Sequence, residues 1–340
     1  MNGIKLSICI PTYNRCNYLS QAIESIVECL TDELREIVEI VVSDNASTDD
    51  TEKVVCGYKK DIKNLVYSKS PYNCGFDRNL IKVIDLASGE YCWILGDDDE
   101  VCKDSISSIL NDIKNSQHDI LLYERLETDA SFEKEPVYSP WTSLPEGLTF
   151  NLGSEISSFY NYLDKCNSLG GMFSYISVLV FKKAKWDCIS VKDRMAHTGY
   201  THVYMLFSMM ADNANVRYAK KPIVICRLGN DSICPVMTWD NIYRRLKFDI
   251  DGYREIVLCV FDTDSILSRV LLKQLEKLIP MDALIGIRVH LKTVTGPRHP
   301  LDILLLNSGY IRTYVTLHLK VFKTRFKKLL KFKRTKRHNH

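Results

Sequence analysis

The chain has 340 residues, 46% hydrophobic and 26% charged, which suits a folded globular protein with one large domain or two modest ones. Its 12 Cys form no CxxC pair, which excludes a zinc ribbon and fits reduced cytosolic thiols better than a disulfide framework. No acidic residue follows Asp302, and 11 of the 45 Lys and Arg lie between Arg312 and Arg337, so the net charge of +3 hides an acidic body and a basic tail.

The first apolar run, Lys5–Ile10, is closed by Pro11 and reads as a strand rather than part of a signal peptide. Leu19, Ile23, Ile26, Val27 and Leu30 have helical spacing across 17–30. Val38–Val42 is a β-branched strand ending at Ser43-Asp44-Asn45, and the spacing predicts a helix over 49–58 with Ser47 or Thr48 as N-cap. A short strand at 65–67, a helix at 77–86 and a strand at 91–95 complete the first hundred residues. Strand and helix alternating at these lengths imply a mostly parallel sheet covered on both faces. Residues 130–160, with Pro136, Pro140 and Pro145, suggest a loop-rich crossing. Beyond it the pattern gives a strand at 175–182, a helix near 201–211, strand and turn at 216–227, and several helices over 239–292. No apolar run reaches the ~18 residues that a membrane-spanning helix needs.

The strand at 91–95 ends in Gly96-Asp97-Asp98-Asp99. Three carboxylates at one strand end repel each other unless something positive sits among them, and a divalent cation carrying a phosphorylated substrate is one answer. An acidic solvated turn is the other. In such sheets ligands collect at the carboxyl ends of the strands, so Pro11–Arg15, Ser43–Asn45 and Asp97–Asp99 can share one cleft. Asp44 could accept a hydrogen bond from a base, and Arg78 could pair with a phosphate or with Asp44 or Asp97. The chain has neither GxGxxG nor GxxxxGK[ST], so group transfer from a nucleoside-diphosphate donor suits it better than hydride transfer or nucleotide hydrolysis.

Pro11-Thr12-Tyr13-Asn14-Arg15, then Val42-Ser43-Asp44-Asn45-Ala46-Ser47-Thr48-Asp49, then Asn73-Cys74-Gly75 with Arg78-Asn79, and Gly89-Glu90-Tyr91 leading to the Asp run, resemble the family 2 glycosyltransferases. The resemblance implies the GT-A fold, an α/β architecture with a Rossmann-like, mostly parallel central sheet and flanking helices. Gly170-Gly171-Met172-Phe173-Ser174-Tyr175, with Lys185-Trp186-Asp187 and Ile225-Cys226-Arg227 ahead of Gly229-Asn230-Asp231-Ser232, is similar to a narrower group, the bacterial abequosyltransferases. These move a 3,6-dideoxyhexose from a CDP-linked donor to a lipid-linked O-antigen unit in lipopolysaccharide biosynthesis.

The resemblance further implies that Pro11, Thr12, Tyr13, Asn14 and Arg15 line the nucleotide, that Asp44 and Asn45 lie at the base, and that Arg78 and Asn79 sit against the donor. Aligned from Gly89, the family's first DxD carboxylate falls on Gly96 and its second on Asp98. Asp98 is then the leading ligand for Mn²⁺ or Mg²⁺, with Asp99 or Asp97 assisting through water or the ribose. An inverting transfer needs a general base, which the family places on a carboxylate at the start of a helix. Gly199–Tyr204 holds no carboxylate, so His202 is the candidate, with Asp193 and Asp231 behind it; a His that merely packs or caps is the competing reading. Arg227 and the loop after it would close over the pyrophosphate, or form a plain turn.

Val315, Leu319, Phe322, Phe326 and Leu329 recur at helical spacing among Lys and Arg, as in a basic amphipathic helix lying on an anionic membrane. Packing of that stripe on the domain competes with docking, and nucleic-acid binding is the least favoured reading. The expected organisation is a transferase domain over 1–235 (nucleotide-sugar half 1–100, acceptor half 101–235), a helical region over 236–309 and a basic tail over 310–340. The expected activity is a metal-dependent transfer to an undecaprenyl-diphosphate-linked oligosaccharide at the cytoplasmic face of the inner membrane. Transfer from a UDP- or dTDP-sugar, a sugar nucleotidyltransferase and a non-catalytic binding module remain alternatives.

Overall fold

The computed structural model describes residues 3–115, 117–229, 238–291 and 299–321. They form two compact units, one of residues up to 230 with 256–263, the other of 231–255 with 264 onward.

The first unit opens with β1 (Leu6–Thr12), α1 (Cys16–Glu28), the one-turn α2 (Asp32–Arg35), β2 (Val38–Asp44), α3 (Thr51–Tyr58), β3 (Leu65–Lys69), α4 (Phe76–Asp85) and β4 (Tyr91–Ile94). Both β1 and β2 are buried along their whole length, as strands covered on two faces must be. After β5 (Glu100–Val101) and α5 (Ser105–Asn115) come β6 (Ile120–Thr128), β7 (Val137–Tyr138), β8 (Thr149–Phe150) and α6 (Ile156–Asp164). The unit continues with β9 (Leu179–Lys182), α7 (Lys183–Asp187), α8 (Thr201–Ala211) and β10 (Val216–Arg227).

The ten strands among the described residues belong to one sheet of order β3-β2-β1-β4-β9-β6-β10-β5, with β7 on β6 and β8 on β10. Its N-terminal part, β3-β2-β1-β4, is parallel throughout. The strand β9 is inserted between β4 and β6 and runs antiparallel to both, so the sheet is mixed beyond β4.

Two local expectations differ from the structure. Neither Ser47 nor Thr48 caps α3: the Ser47 hydroxyl accepts from the Asn14 amide at 2.8 Å, the Thr48 amide donates to Asn14 Oδ1 at 2.7 Å, and the helix starts at Thr51, whose amide donates to Asp49 Oδ1. Residues 176–178, expected to be strand, form a 3₁₀ turn, because Ser177 turns its hydroxyl to the amide of Gly96 at 2.8 Å. Gly89 is required by close approach. A Cβ there would stand 2.8 Å from the Ser7 backbone nitrogen, and its amide donates to Ser7 Oγ and Glu39 Oε1.

The helix α9 (Trp239–Phe261) contributes to both units, its residues from Ile256 grouping with the first. The second unit adds α10 (Ile266–Leu278), α11 (Met281–His290), α12 (Pro300–Asn307) and helical residues 311–321. Its core contains Leu271, Leu275, Leu284, Ile287, Leu301, Leu305 and Leu317. Among the described residues no helix is long and apolar enough to cross a membrane.

Candidate functional site

The carboxyl ends of β1, β2 and β4 meet in one place. Thr12 pairs in register with Asp44, its carbonyl accepts from the Asn45 amide at 2.9 Å, and its hydroxyl donates to Asp97 Oδ2 at 2.7 Å. Many residues named from sequence hold this end together rather than face outward. Asn79 is buried, donates to the carbonyls of Ser43 and Thr12, and accepts from the Ser43 hydroxyl at 2.7 Å. Asn45 holds the 73–75 turn by donating to Asn73 Oδ1 and the Gly75 carbonyl while accepting from the Cys74 amide. Asp44 is also buried: Oδ1 accepts from the Ser47 amide and Oδ2 from the Tyr67 hydroxyl, both at 2.7 Å. Asp44 and Asn79 therefore act as fasteners here, and a base or donor contact would need them to rearrange. Pro11 is buried, whereas Tyr13, Asn14 and Arg78 are exposed and Arg15 is half-buried. Asn14 has a left-handed φ of 53°, which Asn tolerates better than most residues.

The three consecutive carboxylates point three ways. Asp97 is bound by Thr12 and Arg15; burial first, then the charge of Asp98, pushes it up to about 6. Asp98 keeps a side chain 21% exposed, and Arg15 Nη1 lies 3.0 Å from its Oδ2 and 3.1 Å from Asp97 Oδ1. Asp99 turns inward, accepting from the Tyr175 and Ser177 hydroxyls and from the Arg227 amide. Burial, reinforced by Asp98, pushes it up to about 7, while those donors hold it down. Among the described residues no three His, Cys, Asp or Glu side chains converge as a metal site. Asp99, expected as a ligand, in this conformation ties the end of β4 to the 175–177 turn. Gly96 fits the same arrangement, because a Cβ there would meet Asp99 Oδ2 at 2.9 Å and Asp98 Oδ1 at 3.0 Å. Position 96 therefore takes no side chain where the family pattern has its first carboxylate.

Asp98 and Asp97 still fit a divalent ion. Their facing oxygens already share one positive group, the Arg15 guanidinium, and one or two carboxylates completed by phosphate oxygens and water form a common Mg²⁺ site.

The two expected base positions among the described residues stand in different surroundings. His202 is only 1% exposed, with Nε2 3.2 Å from the Ser174 carbonyl, so an acceptor hydroxyl has no route to its ring in this conformation. Burial lowers its pKa to about 4 against the backbone contacts that raise it. A protonated imidazole is thus disfavoured in the folded chain, and stability present above the unfolded value of about 6.5 is lost as pH falls towards 4. The loss is on the order of 3 kcal/mol. Urea unfolding of the wild type and His202→Leu at pH 7 and 4.5 tests this: the variant should lose less stability on acidification, and equal losses would refute the assignment. Asp193 is exposed on the 3₁₀ turn before α8, and Asp231 lies outside the described residues. The start of α8 does receive a carboxylate, but from elsewhere. Asp77 of α4 accepts from the Gly199 amide at 2.8 Å and the Thr201 amide at 3.1 Å, capping the helix from across the unit.

Arg227 is likewise not free for phosphate. It is buried, donating through Nε to the Asp98 carbonyl, through Nη1 to the Ala130 carbonyl and through Nη2 to Gln21, with its guanidinium over the rings of Phe132 and Tyr18. Sequence reasoning missed Tyr67, Asp77, Ser177 and Gln21 as partners. Only Tyr175 carried a signal, inside a motif already noted.

The sequence model described as "Glycosyl transferase family 2" matches residues 7–176. The chain is 36% identical over 279 residues to the abequosyltransferase RfbV of Salmonella typhimurium, covering 79% of this chain and 80% of that protein. The chain belongs to glycosyltransferase family 2. It is also 33% identical over 132 residues, 38% of this chain and 41% of the relative, to the Campylobacter jejuni GalNAc(5)-diNAcBac-PP-undecaprenol beta-1,3-glucosyltransferase. Among solved structures, S. aureus TarS 1–349 in complex with UDP superposes with a TM-score of 0.58 at 15% identity, covering 85% of this chain and 76% of that one. The mannosyltransferase PcManGT of Pyrobaculum calidifontis, in complex with GDP-Man and Mn²⁺, gives 0.53 at 15% identity, covering 97% of this chain and 88% of that one. The fold is therefore GT-A-like, a mixed α/β sheet followed by a helical C-terminal region.

Proposed function

We propose that this glycosyltransferase moves a 3,6-dideoxyhexose such as abequose from a CDP-linked donor onto a lipid-linked oligosaccharide of the O-antigen. The observation that carries this reading is the 36% identity to RfbV over 79% of this chain and 80% of that protein. An undecaprenyl-diphosphate acceptor draws on the name of the Campylobacter relative. In this reading Tyr13, Arg15 and Arg78, left accessible at the strand ends, meet the nucleotide and its phosphates, while Asn45 and Asn79 keep the loops in place. Asp98, assisted by Asp97, would hold a divalent cation, which when bound supplies charge stabilisation to the departing diphosphate. Of the three base candidates Asp193 is the one described in an exposed position.

We place the enzyme on the cytoplasmic face of the inner membrane. Ile311, Val315 and Leu319 are exposed while Leu317 and Val321 are buried, so the helical residues 311–321 pack by one face and leave an apolar stripe bare on another. The basic run that follows lies outside the described residues; its charge would add attraction to anionic lipid on the order of 1 kcal/mol per Lys or Arg.

A thermal-shift screen of CDP, UDP, GDP and dTDP, each with and without Mn²⁺ or Mg²⁺, tests the donor assignment. A metal-dependent rise in Tm with CDP alone is expected. A rise with UDP or dTDP instead would keep the family and discard the dideoxyhexosyl donor. In the same series, a chain ending at residue 321 should lose binding to vesicles containing anionic lipid; unchanged binding would remove the tail from the assignment.

A further inference from the structure

The nitrogen that bridges Asp97 and Asp98 belongs to Arg15, and no metal ion can share its place. Arg15 Nη1 stands 3.1 Å from Asp97 Oδ1 and 3.0 Å from Asp98 Oδ2, whereas a cation ligated by those oxygens would sit ~2.1 Å from them. Metal entry therefore requires the guanidinium to leave. We propose that Arg15 is the resident counter-ion of the Asp97–Asp98 pair, and that a nucleoside diphosphate opens the pair to a divalent cation by drawing Arg15 onto its phosphates. The proposal rests on the donor-site reading above and adds an order of events to it: nucleotide and metal bind cooperatively, and the metal alone binds weakly.

Three observations carry it. The Asp97 carboxylate and the Asp98 backbone are held independently of Arg15, so the strand end keeps its place once Arg15 moves. Asp97 is fixed through its other oxygen by the Thr12 hydroxyl at 2.7 Å, and the Asp98 backbone is fixed at its carbonyl by Arg227 Nε at 3.1 Å. Arg15 itself is placed to swing. It is the residue just before α1, and its side chain is 25% exposed. Finally, Asp99 points inward to Tyr175, Ser177 and the Arg227 amide, so Asp97 and Asp98 are the two of the three carboxylates that face Arg15. Removing Arg15 without a replacement leaves two adjacent carboxylates unneutralised, and a metal ion arriving alone must displace a guanidinium already paired with both. A diphosphate answers both requirements, since guanidinium recognises phosphate oxygens well and the same phosphates complete the metal's coordination. Such coupling is reciprocal: the factor by which nucleotide tightens metal equals the factor by which metal tightens nucleotide.

The test is Mn²⁺ binding, read as the loss of the free-ion electron paramagnetic resonance signal, on the full chain and its Arg15→Gln and Arg15→Lys variants. Each is measured with Mn²⁺ alone, with CDP and with inorganic pyrophosphate, correcting for the Mn²⁺ that CDP or pyrophosphate binds in solution. Wild-type protein should bind Mn²⁺ at least about ten-fold more tightly with CDP than without it. Arg15→Gln should bind Mn²⁺ alone about ten-fold more tightly than wild type and lose most of the CDP effect, while Arg15→Lys, which keeps a mobile positive charge, should stay near wild type. Thermal melting of each variant checks that the fold is kept. Mn²⁺ affinity of Arg15→Gln equal to or below that of wild type would overturn the proposal, as would a CDP effect that survives the substitution. Failure of the underlying donor-site reading looks different: neither CDP nor pyrophosphate would bind any of the three proteins.

Discussion

Replacing Asp98 with Asn should lower turnover by about 10³-fold and leave the melting temperature nearly unchanged. The substitution keeps the shape of the side chain and removes one negative charge from a position that is partly exposed and paired with Arg15. Little folding energy depends on such a pair, because solvent screens it and Arg15 keeps Asp97 as a partner. Catalysis depends on it far more. If a cation neutralises the leaving diphosphate, losing its best-placed carboxylate removes several kcal/mol of stabilisation that grows as the bond breaks, and about 4 kcal/mol corresponds to a thousand-fold in rate. Steady-state kinetics with a CDP-sugar, run beside a thermal melt, measures both. Turnover within a few-fold of wild type would refute Asp98 as the ligand, and a large fall in Tm would mean that the carboxylate is structural, as Asp99 is.

Replacing Arg227 with Ala should have the opposite profile: stability should fall by about 3 kcal/mol, while the folded fraction should bind nucleotide as before. The guanidinium donates to the Asp98 carbonyl, the Ala130 carbonyl and Gln21, and it lies 4.0 Å from the Phe132 ring centroid and 4.8 Å from that of Tyr18. Truncation deletes three charge-assisted hydrogen bonds and two ring contacts and leaves a cavity where α1, the residue after Asp97 and the 129–132 loop meet. Arg227→Lys should recover less than half of the loss, since an ammonium cannot reach three divergent acceptors while stacking between rings. Urea denaturation with CDP titrations of each folded variant checks it. A marginal change in stability joined to a ten-fold loss of CDP affinity would restore Arg227 as a phosphate ligand.

Several features were legible before any coordinates. Helical and strand periodicities are local, so the βα alternation through β4 and the limits of α8 follow from spacing alone. Strand ends in a parallel sheet collect their loops on one side, which brings Pro11–Arg15, Ser43–Asn45 and Asp97 together without knowledge of any contact. The family motifs lie within those same loops.

The antiparallel insertion of β9 was not legible, because a four-residue strand carries no mark of its direction. Nor was the division of labour among three identical residues. Asp97, Asp98 and Asp99 differ by one position each, yet one is bound by Thr12, one opens to Arg15 and one is buried under Tyr175 and Ser177. Each partner stands 76 to 85 residues away in the chain, so no local pattern could assign them. His202 makes the same point from the other side. Sequence placed it at the start of α8, where a base was wanted, but the exposure of a first-turn residue depends on what packs over it, and Ser174 does. The sequence by itself determined the family, the order of elements through β4, the acidic strand end and the charge contrast between body and tail, because periodicity, motif spacing and net charge are properties of the chain. Only the tertiary structure decided which carboxylate stays partly exposed and which is spent on holding the fold, because that depends on desolvation and on hydrogen-bond partners brought from distant strands.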